Sequence, residues 1–580
     1  MKSTKALLAI LFALSFVAAA CGGSDEAADG TADDSAVTDD SADDSSADDS
    51  SADDSSTDDG AAPSDFEGMS LAAESCDYGG ELKSITAVDE LTVQFELCFP
   101  DVAFESKVAF SAFGIHPSEV LEATGGTGTE LLESPVGTGP YQVAQWERGN
   151  QLVYTANPNY WGEPANAETL VFRWSEESAQ RLVELQSGQV DGIDNPGRDD
   201  FEVIAADSDL QLLEREGTNI FYVGFNNTFP PFDNEQVRQA MALGLDRQRL
   251  VDNFYPPGSK VADQFLPSSI FGYTPEPTWY DYDPEAAKEL LAEAGYPDGF
   301  EVTVSYRNVV RSYLPDPATV ATDIQAQMAD IGVTLNIEEM ESGAFLDASD
   351  AGELPMYLLG WGADYPDATN FLDFHFGIGA SDQFGEKFSD ITDLLSEAGQ
   401  VVDADTRLDL YEQATEALKT HVPMIPVAHG GSGTAFRADV TNAQASPLGN
   451  EVFAVMDPGG RDTIVWMQNA EPISLYCADE TDGESLRACE QVNESLLAYE
   501  VGGTAVQPAL AETWSADDTG TIWTFNLRPG VTFHDGSAFD ANDVVTTWSA
   551  QWDASSPLHT GRDGNFTYFN ADFGAFLNAE

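Results

Sequence analysis

The spacing of apolar positions changes several times along the chain, and each change predicts an element. Val93, Phe95, Leu97 and Phe99 alternate with polar neighbours up to Pro100, the pattern of a half-buried strand stopped by a residue without an amide hydrogen. Trp523, Phe525 and Leu527 alternate in the same way with Thr524, Asn526 and Arg528. Between these two regions the period lengthens. Asp283 can cap a helix, Pro284 suits its first position and Gly295 its end. Ala287, Leu290, Leu291 and Ala294 then form an i, i+3, i+4, i+7 apolar face. A strand (Val302, Val304, Tyr306), a helix near 318–330, a strand (Val333, Leu335, Ile337) and a short apolar strand at 356–360 follow. Strands alternating with helices imply crossover connections, so the expected fold class is α/β, with a strand-rich part at the chain ends.

The first 65 residues fit neither period. Lys2 and Lys5 precede an apolar stretch at residues 6–17, and Ala18, Ala19 and Ala20 lead into Cys21. This resembles a bacterial lipobox, which implies cleavage before Cys21 and lipidation of its thiol, with plain secretion as the alternative. No later stretch approaches the ~20 apolar residues of a spanning helix. Residues 22–65 contain SADDSSADDSSADDSSTDD and no aromatic before position 66. Such a segment cannot bury enough surface to fold, and its like charges keep it extended as a tether. Residues 66–580 are long enough for two or three domains at ~100–200 residues each.

Charge excludes one class of partner. The chain has 101 acidic residues against 24 Lys and Arg, a formal net charge of −77. Nucleic acid needs clustered cations and is excluded. The excess is spread along the sequence, which reads as a solvated acidic surface suited to salt rather than a device that attracts cationic ligands. Beyond Cys21 four cysteines remain, an even number in an exported chain, which suggests disulfides. Spacing favours Cys477–Cys489 and Cys76–Cys98 among the three possible connectivities. No CxxC occurs and the six histidines are scattered, so no metal site is expected. No P-loop, HExxH or GxGxxG is present, so no cofactor is expected and any ATPase must be a separate protein.

Five blocks carry a resemblance. They are VQPALAETWSADDTGTIWTFNLRPGVTFHDGSAFDANDVV (506–545), GTGPYQVAQWERGNQLVYTANPNYWG (137–162), FNNTFPPFDNEQVRQAMALGLDRQRLV (225–251), YDPEAAKELLAEAGYPDGFEVTV (282–304) and WGADYPDATNFL (361–372). Together they resemble the family 5 bacterial extracellular solute-binding proteins, which bind dipeptides, oligopeptides, nickel complexes and some sugars. The resemblance implies a fold like the type II periplasmic binding proteins, two lobes around a ligand cleft plus a small accessory domain. It also implies a monomer that delivers its ligand to the permease subunits of an ABC importer at the outer face of the cytoplasmic membrane. The block order departs from the family's. DTIVWMQNAEPISL (462–475), which resembles a family beginning, follows VFAVMDPGG, which resembles a family end, so the chain is expected to be circularly permuted. Carried over by segment, the accessory domain would combine 66–135 with 495–580. The main lobe would combine 136–240 with 441–494, and the second lobe would be 241–440.

A peptide presents an ammonium, a carboxylate and a strand-like backbone. A buried ammonium needs a carboxylate, and a buried carboxylate is best met by the fork of an arginine. By resemblance, Asp364 in WGADYPD would hold the ligand amine and Arg311 in RSYLPDP its carboxylate. Read locally, the same residues fit a turn or cap and a solvated loop charge. Trp361, Tyr365 and Tyr313 flank them as candidate aromatic walls, with core packing the alternative for Trp361. HGGSG (429–433) has the composition of an oxyanion loop or a small nucleophile elbow. It lacks the strand–Ser–helix setting, so no enzyme is expected.

Overall fold

The computed structural model describes residues 66–579. The expected signal segment with Cys21 and the acidic stretch 22–65 lie outside the described residues. Local chemistry accounts for the elements that follow. Asp283 accepts a hydrogen bond from the Ala286 amide at 3.0 Å and opens the helix Pro284–Glu293, with Pro284 in its first turn. Ala287 and Leu291 of its apolar face are buried, and the chain leaves through Gly295 at φ 96°, a left-handed turn open to glycine. The parallel pair Phe300–Arg307 and Val333–Met340 is joined by the helix Pro317–Asp330, a right-length crossover for a parallel connection. The expected strand at 93–99 ends sooner, at Leu97. Cys98 is bonded to Cys76, and Phe99 beyond it is 39% exposed.

Three large sheets organise the chain. A five-stranded sheet orders Ser70–Ala72, Leu82–Asp89, Thr92–Leu97, Ile522–Leu527 and Ala511–Ala516. Early and late segments thus share one ladder and one core, where Phe95 and Phe113 pack on Trp548 at ring distances of 4.9 and 5.0 Å. A seven-stranded sheet orders Tyr141–Glu147, Gln151–Ala156, Thr169–Trp174, Thr463–Gln468, Gly192–Asp194, Ser432–Arg437 and Leu210–Arg215. A six-stranded sheet orders Lys260–Val261, Met424–His429, Asn219–Phe225, Met356–Gly362, Phe300–Arg307 and Val333–Met340. Thr463–Gln468 lies inside the seven-stranded sheet, parallel to both neighbours, and is entered through an exposed turn with Gly459 and Gly460 at φ 69° and 83°. Residues 462–579 are therefore shared between two sheets rather than folded apart.

The sheets exchange chain earlier than the expected changes at 240 and 440. Asn219–Phe225 already belongs to the six-stranded sheet and Ser432–Arg437 to the seven-stranded one, so the crossings are 216–218 and 430–431. Both strands are almost wholly buried, and a continuous apolar run does not say which sheet buries it. The crossings lie side by side. A Cβ on Gly217 would stand 2.7 Å from the Gly430 carbonyl oxygen, and one on Gly430 would collide with that of Ser312. The Asn219 side chain clasps Gly430, accepting from its amide at 2.8 Å and donating to its carbonyl at 2.7 Å. HGGSG is thus the second crossing. Ser432 enters a strand and its hydroxyl accepts from Arg215 at 3.2 Å, which is no nucleophile elbow.

Both disulfides are formed, Cys76–Cys98 with Cα atoms 5.6 Å apart and Cys477–Cys489 with 6.0 Å. No described helix is long and apolar enough to cross a membrane, and the described residues hold no cluster of metal-ligating side chains.

Candidate functional site

A cavity of ≈ 870 Å³ opens where the six- and seven-stranded sheets face one another and the C-terminal segment closes one end. Sheet ends supply its walls: Leu359 to Ala363 and Arg307 from one side, Asp194 and Arg215 from the other, and Tyr568 from the helix Thr567–Phe573. A concave site of this volume between two bodies is the usual setting for a small ligand.

Asp364 follows the strand Met356–Gly362 and lines this cavity. Its carboxylate accepts from Asn370 Nδ2 at 3.0 Å and from the Tyr568 hydroxyl at 2.9 Å, while its amide donates to Asn370 Oδ1 at 3.0 Å. Among the described residues no Lys or Arg pairs with it. Burial without a cation pushes the carboxyl up to about 6, against the two hydrogen bonds that favour its charge. The group is oriented, desolvated and short of a positive partner.

Arg311 also reaches the cavity, from a tight turn in which its amide and carbonyl pair with Leu314 at 3.2 and 3.0 Å. Its guanidinium stands 3.8 Å from Glu484 across the cavity and donates only to the Val310 carbonyl, at 3.3 Å. Burial opposes its charge, but Glu484, Tyr313 and Asp482 together hold its pKa above the ordinary value. Trp361 lines the wall, stacked on Phe374 at 4.1 Å with its ring nitrogen donating to Asn370. Tyr313 lines it too, and its hydroxyl accepts from Arg307 at 3.3 Å. Tyr365 does not face the cavity. It is 2% exposed in the aromatic core of the five-stranded sheet, and its hydroxyl accepts from Thr369.

The floor is a closed charge network. Arg215 and Arg487 each bind both Asp194 and Glu451, with the Arg487 contacts at 3.1 and 2.7 Å. All four side chains are nearly inaccessible, and the two charges of each sign compensate one another. Sequence reasoning missed three residues at the site, Asn370, Tyr568 and Glu484. Asn370 was findable, six residues after Asp364 in the same block. Tyr568 lies 204 residues away, and no local pattern signals it.

The sequence model described as "Bacterial extracellular solute-binding proteins, family 5 Middle" matches residues 31–383 and 505–566. The chain is 34% identical over 385 residues to "Heme-binding protein A" of Haemophilus influenzae, covering 66% of this chain and 70% of that one. It is 31% identical over 395 residues to the "Dipeptide-binding protein" of Escherichia coli, covering 67% and 72%. Among solved structures it superposes with TM-score 0.59 on a dipeptide-binding protein from Pseudoalteromonas sp. SM9913 in complex with Met-Leu, at 27% identity over 63% of this chain and 74% of that one. A periplasmic binding protein from Helicobacter pylori in complex with peptide STSA gives 0.57 at 28% identity, over 62% and 71%.

Proposed function

We propose that this chain, which belongs to the bacterial extracellular solute-binding proteins of family 5, captures short peptides for an ABC importer. Its fold is of the type II periplasmic-binding-protein kind found in the solved relatives. The two sheets with their helices act as lobes, and ligand favours their closed arrangement because only there do both touch it. The observation that carries the reading is Asp364, a desolvated carboxylate held by Asn370 and Tyr568 with no cation of its own. A peptide ammonium supplies that cation. Arg311, with a weak partner at 3.8 Å, takes the peptide carboxylate, and Trp361 and Tyr313 exclude water beside them. Two fixed ends select one length, which favours dipeptides. Lipidation at Cys21 and the acidic tether 22–65 would hold the protein at the outer face of the cytoplasmic membrane. We infer as well that the chain is circularly permuted, supported by the shared five-stranded sheet and the exposed turn before Thr463.

The test is calorimetric titration of free, N-acetylated and C-amidated dipeptides into wild type, Asp364→Asn and Arg311→Gln. Removing one member of a desolvated charge pair costs about 2–5 kcal/mol of affinity, and capping the matching ligand end should cost as much. Equal binding of capped and free peptides by wild type would refute the two-anchor reading.

A further inference from the structure

The cavity lining is unevenly charged. Nine carboxylate side chains face it against four arginines and no lysine. Most of the arginine charge is already committed. Arg215 and Arg487 are spent on Asp194 and Glu451, and Arg307 donates to Ser342 and Tyr313. Glu494 is held by Thr138, Tyr160 and Trp161, and Asp364, hydrogen-bonded by Asn370 and Tyr568, is taken by the ligand ammonium in the reading above. Among the carboxylates left are Glu163, Asp350, Glu490, Asp482 and Glu484, and the last two share one short stretch of wall beside Arg311. Glu484 is 6% exposed, yet its carboxylate accepts no hydrogen bond, and its single charged neighbour within 4 Å is Arg311 at 3.8 Å. Two residues before it, Asp482 uses Oδ1 to cap the helix Gly483–Cys489, while its buried Oδ2 has no partner. Burial, then the nearby Glu484 charge, push the Asp482 carboxyl up to about 6. Burying a carboxylate this way is costly unless a cation arrives.

Given the peptide reading above, on which this step rests, Arg311 turns to the ligand's terminal carboxylate. Glu484 then loses its one cation within 4 Å, with Arg181 and Arg487 further off, and faces a second anion. The side chain nearest to that carboxylate belongs to the ligand's C-terminal residue. We propose that Asp482 and Glu484 form a subsite for a cationic side chain, Lys or Arg, on the C-terminal residue of the bound dipeptide. The ammonium or guanidinium offsets half of the net double negative charge of a group of two carboxylates, one arginine and one terminal carboxylate. It also fills the empty acceptor at Asp482 Oδ2. A cation on the N-terminal residue lies at the Asp364 end and gains nothing from this wall.

The experiment titrates Ala-Lys, Lys-Ala, Ala-Ala and Ala-norleucine into the full chain and into Glu484→Gln and Asp482→Asn. Norleucine keeps the aliphatic stem and lacks the charge, and Asn keeps the cap. Ala-Lys should bind wild type at least about tenfold more tightly than Ala-norleucine or Lys-Ala. Either substitution should shrink that ratio several-fold. Wild type binding Ala-Lys no better than Ala-norleucine overturns the subsite and leaves the peptide reading standing. A ratio unchanged in both variants overturns it as well. No binding of any dipeptide overturns both proposals.

Discussion

At the scale of single residues, the site turns on what surrounds each charge. Asp364 sits with its carboxyl raised to about 6 because burial outweighs two donated hydrogen bonds. A raised acid holds its proton more tightly, and an ammonium binds only the ionised form, so proton and ligand compete. Dipeptide affinity is therefore expected to be level near pH 7 and to fall about tenfold per pH unit once pH drops below about 6. Titrations from pH 4.5 to 7.5 check this, and Asp364→Asn should flatten the acid limb. Asp364 and Arg311, with the aromatics Trp361 and Tyr313 beside them, were legible through the family resemblance of the segments that carry them, since read locally they fit a turn, a loop charge and core packing equally well. Tyr365 was not. It directly follows Asp364 in the chain, and neighbouring side chains there point to opposite sides, one to the cavity and one to the core. Tyr568, which helps Asn370 to orient Asp364, and Glu484, which opposes Arg311, come from 204 and 173 residues further along, distances at which periodicity is silent.

At the scale of elements, helix signals were the most readable. The caps Asp283 and Asp316 and the prolines after them mark two helix starts because their chemistry is local. Strands were readable as strands but not as members of a given sheet. Asn219–Phe225 is buried along its whole length, so no alternation marks its neighbours, and both sheet boundaries were misplaced by one strand. The Cys477–Cys489 bridge spans 12 residues that carry Asp482 and Glu484 on the cavity wall. Replacing both cysteines by serine should lower unfolding stability by about 2–4 kcal/mol, mainly by freeing the unfolded chain. Denaturant melts of wild type and the double variant measure it.

At the scale of the whole molecule, the five-stranded sheet joins the first and last described segments, and Gly79 meets Ala575 at 3.9 Å from its would-be Cβ. A chain rebuilt to start at Asp462, run to Glu580, continue through a short linker into Phe66 and stop at Asp457 needs no new core. It should fold with an unfolding midpoint within about 4 °C of the original and bind the same dipeptides, as thermal melts and titration would show. The paired crossings at 216–218 and 430–431 have a consequence for motion. Two bodies on a single strand could bend, twist and slide independently. Two adjacent strands, clasped through Asn219 and Gly430, resist every displacement that lengthens one of them against the other. Rotation about the line through both crossings lengthens neither, so opening is expected to follow that one angle once the Tyr568–Asp364 contact is released, and ligand enters and leaves through the same gate.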